Sequence, residues 1–183
     1  MASIPSHAVF ALALGTWLSP AMSRRRILLL GAALAVLPDL DSVGYWLGIP
    51  SRALLGHRGL THSIAFAVGI GLFAALAAAR SWVPREAWPR LALYLVLAML
   101  SHGMLDAMTN GGPGIAFFSP FSNARYFFPF RPLAVSPIGV EGILGERGLR
   151  ILASEARWIL LPSAVLAGTA LWLRPRWSKP TAG

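Results

Sequence analysis

The sequence predicts an all-α fold: a polytopic membrane bundle of about five transmembrane helices, with a long interfacial connection between the fourth and fifth. Three observations predict it. Of 183 residues, 56% are hydrophobic and 13% charged, with a mean hydropathy of +0.62, whereas a soluble domain carries about 25% charged residues. Several apolar runs approach the roughly 20 residues that cross a bilayer. The basic residues that produce a net charge of +9 lie between or beside those runs. There they act as topology signals and lipid headgroup contacts, not as a nucleic-acid surface. Residues 1–183 form a single integral membrane domain, and no nucleic acid or obligate protein partner is expected.

The first span covers about residues 4–19, apolar apart from Ser6, His7 and Thr16. It lacks the basic start of a signal peptide, and reads as a short membrane helix. Pro20 and Arg24-Arg25-Arg26 end it. The second span, about 27–47, is uninterrupted to Leu37. Pro38 then removes a backbone donor and is followed by Asp39 and Asp41, a broken stretch tolerated at membrane depth where it lines a protein cavity. Residues 48–61 are a glycine-containing loop.

The third span, about 63–79, is rich in Ala and Gly, which let helix backbones approach closely. Arg80, Pro84, Arg85, Pro89 and Arg90 mark a turn. The fourth, about 91–108, carries His102 and Asp106 near its end, and Asn110-Gly111-Gly112-Pro113-Gly114 stops it. The aromatic, proline-broken segment 115–156 reads as the interfacial connection. The fifth span is about 157–173, followed by a basic tail.

Five spans alternate the loops between two sides. Arg24–Arg26, Arg80, Arg85, Arg90, Arg174, Arg176 and Lys179 share one side, in short loops or the tail. The positive-inside rule places that side in the cytoplasm. The same topology puts all four histidines, His7, His57, His62 and His102, on the outward face with Asp39, Asp41 and Asp106.

An Asp at the bilayer centre costs about 2.5–3.5 kcal/mol on insertion scales, so such residues are retained when paired, hydrated or bound to a cation. His102 and Asp106 are four apart, on one helix face. They can chelate one ion, or the Asp can orient the His. Asp39 and Asp41 flank one residue after a proline. His57 and His62 bracket a glycine turn. Taken singly, these are also a helix cap, an internal hydrogen bond or loop residues. Taken together, they indicate metal binding.

The chain has no cysteine, which excludes disulfides, thiolate nucleophiles and Cys-type zinc sites. Its single lysine, Lys179, argues against Schiff-base chemistry. His and Asp donors suit zinc, manganese or iron. The candidate ligands are His7, Asp39, Asp41, His57, His62, His102 and Asp106, enough for one or two divalent ions. A bound ion acidifies a water and stabilises charge on a phosphoryl oxygen. Arg58, Arg125 and Arg131 are candidate phosphate contacts.

Leu37-Pro38-Asp39-Leu40-Asp41-Ser42, His57-Arg58-Gly59-Leu60-Thr61-His62-Ser63 and the run from His102 to Gly112 resemble the YdjM-type inner-membrane proteins, described as LexA-regulated, membrane-bound, metal-dependent hydrolases. His7 and the aromatic-proline segment near 127–132 fit the same pattern. The resemblance implies a helical membrane enzyme with its metal centre at the seven candidate ligands. It fixes no substrate and gives no role to Glu141, Glu146 or Glu155.

The expected function is hydrolysis of a lipid or other amphiphilic phosphoester by a metal-activated water near the outer face of the cytoplasmic membrane, with Asp39, His62 and Asp106 as catalytic residues. The rival readings are an ion or proton transporter using the same cluster, and a non-catalytic scaffold.

Overall fold

The computed structural model describes residues 1–20, 23–136 and 145–177. Its elements are α1 (Ile4–Leu18), α2 (Arg24–Val36), a 3-10 turn (Leu37–Ser42), α3 (Val43–Trp46), a second 3-10 turn (Leu60–His62), α4 (Ile64–Trp82), a third 3-10 turn (Arg85–Ala87), α5 (Trp88–Ala107), α6 (Glu146–Glu155), a π-helical turn (Ala156–Leu160) and α7 (Leu161–Trp177). Among the described residues there is no strand beyond two isolated bridges, Thr109 with Leu133 and Ile115 with Tyr126.

Among the described residues, four continuous helical segments are long and apolar enough to cross a membrane: Arg24–Trp46, Ile64–Trp82, Arg85–Ala107 and Glu146–Leu173. The expected first span is shorter. Its helix has 15 residues and reaches about 22 Å at 1.5 Å per residue, against a hydrocarbon core of about 30 Å.

Pro38 ends the α-helix of the second span at Val36, as expected, and the chain continues as the 3-10 turn Leu37–Ser42, at whose start the missing proline N–H costs little. The helix that carries the last expected span starts earlier, at Glu146, so its first turns fall within the expected connection 115–156. The polar residues Glu146, Arg147, Arg150 and Glu155 hide this helix from a hydropathy reading, although Gly148, Ile151 and Glu155 form its buried side. Glu141 lies outside the described residues.

The central helix is α5, which packs against α1, α2 and α4, while α7 packs against α1. Ala67, Gly71 and Ala75 on α4 bring it close to α5, and a Cβ at Gly71 would lie 2.7 Å from the Val96 Cα. Tyr94 fills the space beside α1 and α2, its hydroxyl donating to the Ala11 carbonyl. A Cβ at Gly31 would collide with that hydroxyl. At the end opposite the histidines, Arg24 donates to the Thr16 carbonyl and Arg90 to those of Trp17 and Leu18. The last, unpaired carbonyls of α1 thereby gain cationic partners.

Candidate metal centre

The fold brings the three ligand-bearing segments and the start of α1 to one end of the bundle. Asp39 and Asp41 sit in the 3-10 turn after α2, His57 to His62 in the loop before α4, and His102 and Asp106 in the last turns of α5. Ser63 starts α4 cleanly, its side chain accepting from the Phe66 N–H as an N-cap.

Two nitrogens define the centre. His102 Nδ1 lies 2.7 Å from the Ala35 carbonyl. A carbonyl only accepts, so Nδ1 carries the proton and Nε2 presents a lone pair. His62 Nδ1 lies 3.1 Å from Asp41 Oδ2, which leaves its Nε2 as a lone pair also. Burial pushes the His62 pKa down to about 4, against the pull of Asp41, so the ring is neutral at pH 7. The two Nε2 atoms are 3.0 Å apart. Two lone pairs at that distance require a proton or a cation between them.

Two carboxylates complete the set. Asp39 Oδ1 is 3.4 Å from His102 Nε2 and 3.9 Å from His62 Nε2, and Asp106 Oδ2 is 3.8 Å from His62 Nε2. Asp39, His62, His102 and Asp106 each offer an atom within 4.8 Å of the others, and all four are buried. Tetrahedral zinc with bonds of about 2.0–2.2 Å spaces its donors by about 3.3–3.6 Å; the separations of 3.0–3.9 Å lie on either side of that range, and the donor set could hold one divalent ion. Both oxygens of Asp39 are buried without a hydrogen-bond partner. A buried carboxylate in that condition is costly unless it is neutralised.

Asp41 stands behind this set rather than in it. Its Oδ1 accepts from His57 Nδ1 at 2.6 Å. Its Oδ2 accepts from the Arg58 N–H at 3.0 Å and the Thr61 hydroxyl at 2.6 Å, and lies against His62 Nδ1. Both oxygens are thus spent on holding the loop and orienting His62, the usual task of a carboxylate behind a ligating imidazole. Asp41, His57 and His62 form a second group whose ligand atoms are near enough to hold an ion.

His7 is fully buried and stacked on His102, ring centroids 3.9 Å apart. Its Nε2 is 3.4 Å from Asp106 Oδ1, and neither ring nitrogen has a hydrogen-bond partner.

Two of the three arginines, Arg58 and Arg125, are engaged within the protein rather than free for the phosphate contacts expected of them. Arg58 is fully buried. Its Nε donates to Asp106 Oδ2, Nη1 to the Gly111 carbonyl and Nη2 to the Thr109 hydroxyl, each at 3.0 Å. Arg125 donates to the carbonyls of Ser51, His57 and Arg58, clamping the histidine loop. Arg131 is exposed and stacks over Phe127, 4.9 Å from the ring centroid.

Glu155, which had no expected role, is buried at the start of α1. It accepts from the Ser3 N–H and hydroxyl at 2.6 Å each and from the Ser6 hydroxyl at 2.9 Å. The adjacent Ala2 N–H donates to Asp106 Oδ1 at 2.7 Å. The last helix therefore anchors the turn that carries His7. The available signal was an acid beside an apolar run, a fourth acid at the histidine end.

The family model described as YdjM inner membrane protein matches residues 1–177. The chain belongs to that family. Among its relatives, the Escherichia coli (strain K12) protein described as "Inner membrane protein YbcI" is 33% identical over 174 residues, 95% of this chain and 99% of the relative. No solved structure matches the chain. Membership of the YdjM family and the apolar helices place the protein in the inner membrane, with a buried His/Asp cluster able to hold a metal.

Proposed function

We propose that the protein is a membrane-bound, metal-dependent hydrolase acting on a lipid or other amphiphilic phosphoester. The observation that carries this is the convergence of His62 Nε2, His102 Nε2, Asp106 and the partnerless Asp39 on one buried point. One divalent ion, zinc first and manganese or iron next, is held by those four residues. Asp41 and the Ala35 carbonyl fix the two imidazoles, and Arg58 fixes Asp106. A bound dication supplies an acidified water and a Lewis acid for phosphoryl oxygen. His7, unpartnered beside Asp106, is placed to take or return a proton at Nε2.

The amphiphilic substrate class is supported by the apolar surface at this end. Leu40, between the two aspartates, is 64% exposed, Trp46 78% and Phe121 90%. Such side chains suit a membrane interface, where a lipid presents its headgroup. Arg131 makes no hydrogen bond among the described residues and is the candidate phosphate contact of the three arginines. The arginine distribution orients the site outward.

The 3.0 Å approach of the two Nε2 atoms also favours a second reading, a proton shared between His62 and His102 in a transport path. The core of the opposite half is apolar, built on Ala11, Ile27, Leu91, Tyr94 and Leu95, which supports a one-sided site over a through-path. The test is purified full-length protein loaded with zinc or manganese and assayed on phosphomonoester and phosphodiester lipids, beside proton and metal flux in liposomes. Metal-dependent turnover abolished by Asp39→Ala is expected. Flux without turnover would overturn the hydrolase reading.

A further inference from the structure

A cavity of about 290 Å³ opens between the end of α5 and the first turns of α6, lined by Asn110, Ala134, Val135, Arg147, Arg150 and Ile151. It shares no residue with the His/Asp centre. Arg147 and Arg150 are three apart, so they lie on one helix face. Both are exposed, and among the described residues neither forms an ion pair or hydrogen bond. Asn110 spends Oδ1 on the Val135 N–H at 3.0 Å, so its amide N–H groups are the donors it has left. The neighbouring acid, Glu146, is not in the lining. Among the described residues, the free side-chain polar groups of this cavity are therefore donors, two of them cationic.

Its place along the helix says what it meets. Glu146–Leu173 is one continuous helix long and apolar enough to cross a membrane, and Leu149 and Leu152, between and beyond the arginines, are 68% and 57% exposed. Exposed leucines beside guanidinium groups in the polar first turns of such a helix suit the headgroup level of a bilayer. Arginine matches a phosphate bidentately, and basic pockets at a membrane surface bind anionic headgroups. Ala134, Val135 and Ile151 give the cavity an apolar wall suited to a glyceryl ester. We propose that this cavity binds the phosphate of an anionic glycerophospholipid, gripped by Arg147 and Arg150 with Asn110 opposite.

The test is native mass spectrometry of the full chain in neutral maltoside, titrated with phosphatidylglycerol, phosphatidylcholine or inorganic phosphate. Phosphatidylglycerol is expected to bind more tightly than phosphatidylcholine, and to weaken as salt rises. Arg147→Gln with Arg150→Gln should weaken it at least about tenfold, with phosphatidylcholine binding unchanged. Asn110→Ala, which removes no charge, should weaken it by less. Equal affinity for the two lipids in the wild type, or phosphatidylglycerol binding indifferent to both salt and the double substitution, would overturn the proposal. Displacement of the lipid by inorganic phosphate at the lipid's own concentration would overturn the lipid as its source.

Discussion

Arg58 Nε donates to Asp106 Oδ2 across 3.0 Å, with both side chains fully buried and 48 positions apart in sequence. The pair ties the histidine loop to the end of α5, and Arg58 reaches it from a left-handed backbone conformation, φ +63°. A non-glycine residue there is strained, and such strain persists only where the surroundings enforce it.

Removing the guanidinium leaves Asp106 buried without its cation. Breaking a buried pair from one side costs about 3–5 kcal/mol. Arg58→Ala should therefore lower the melting temperature in detergent and weaken metal binding together, whereas a purely substrate-binding arginine would change KM alone. Thermal melts, metal titration and kinetics on one preparation separate these outcomes.

Gly112 guards the same pair. Its φ is +93°, and a Cβ there would lie 2.6 Å from Arg58 Nη1. Gly112→Ala should destabilise by about 1–3 kcal/mol. An unchanged melting temperature would show that Arg58 can shift freely.

In the proposed site Asp41 orients an imidazole and Asp106 ligates the ion. Loss of an orienting partner typically costs about 10–100-fold in metal affinity or activity. Asp41→Asn should fall in that range with the protein folded, and Asp106→Asn should lose at least about tenfold. Competition against a zinc chelator measures both. Wild-type affinity in the Asp106→Asn variant would remove this carboxylate from the site.

A reporter active only in the periplasm, fused after Gly183, should be silent, because the positive-inside rule applied to the short-loop arginines predicts a cytoplasmic C-terminal end. Strong activity would reverse the orientation and leave the clustering of ligands intact.

The ligand segments are legible in the sequence because polar residues are rare in this chain. Asp39, Asp41, His57, His62, His102 and Asp106 stand out against apolar flanks, and alternation of spans brings them to one end. The division of labour among them is not legible there. Asp39 and Asp41 are two residues apart and chemically identical, yet one lacks any hydrogen-bond partner and the other has both oxygens engaged. That depends on where the Arg58 N–H and the Thr61 hydroxyl fall in three dimensions. Arg58 itself resembles a surface cation in sequence, because loop arginines usually are. Hydropathy does not show that the last helix starts at Glu146, because its amphipathic first turns lower the local average while their buried side still packs.

The most direct measurement is elemental analysis of protein purified without chelator, wild type beside His102→Ala and Asp39→Ala. One divalent ion per chain in the wild type, and much less in each variant at unchanged secondary structure, is the predicted result. A metal-free wild type that stays metal-free after incubation with zinc, manganese or iron would contradict a metal centre and leave His62 and His102 sharing a proton.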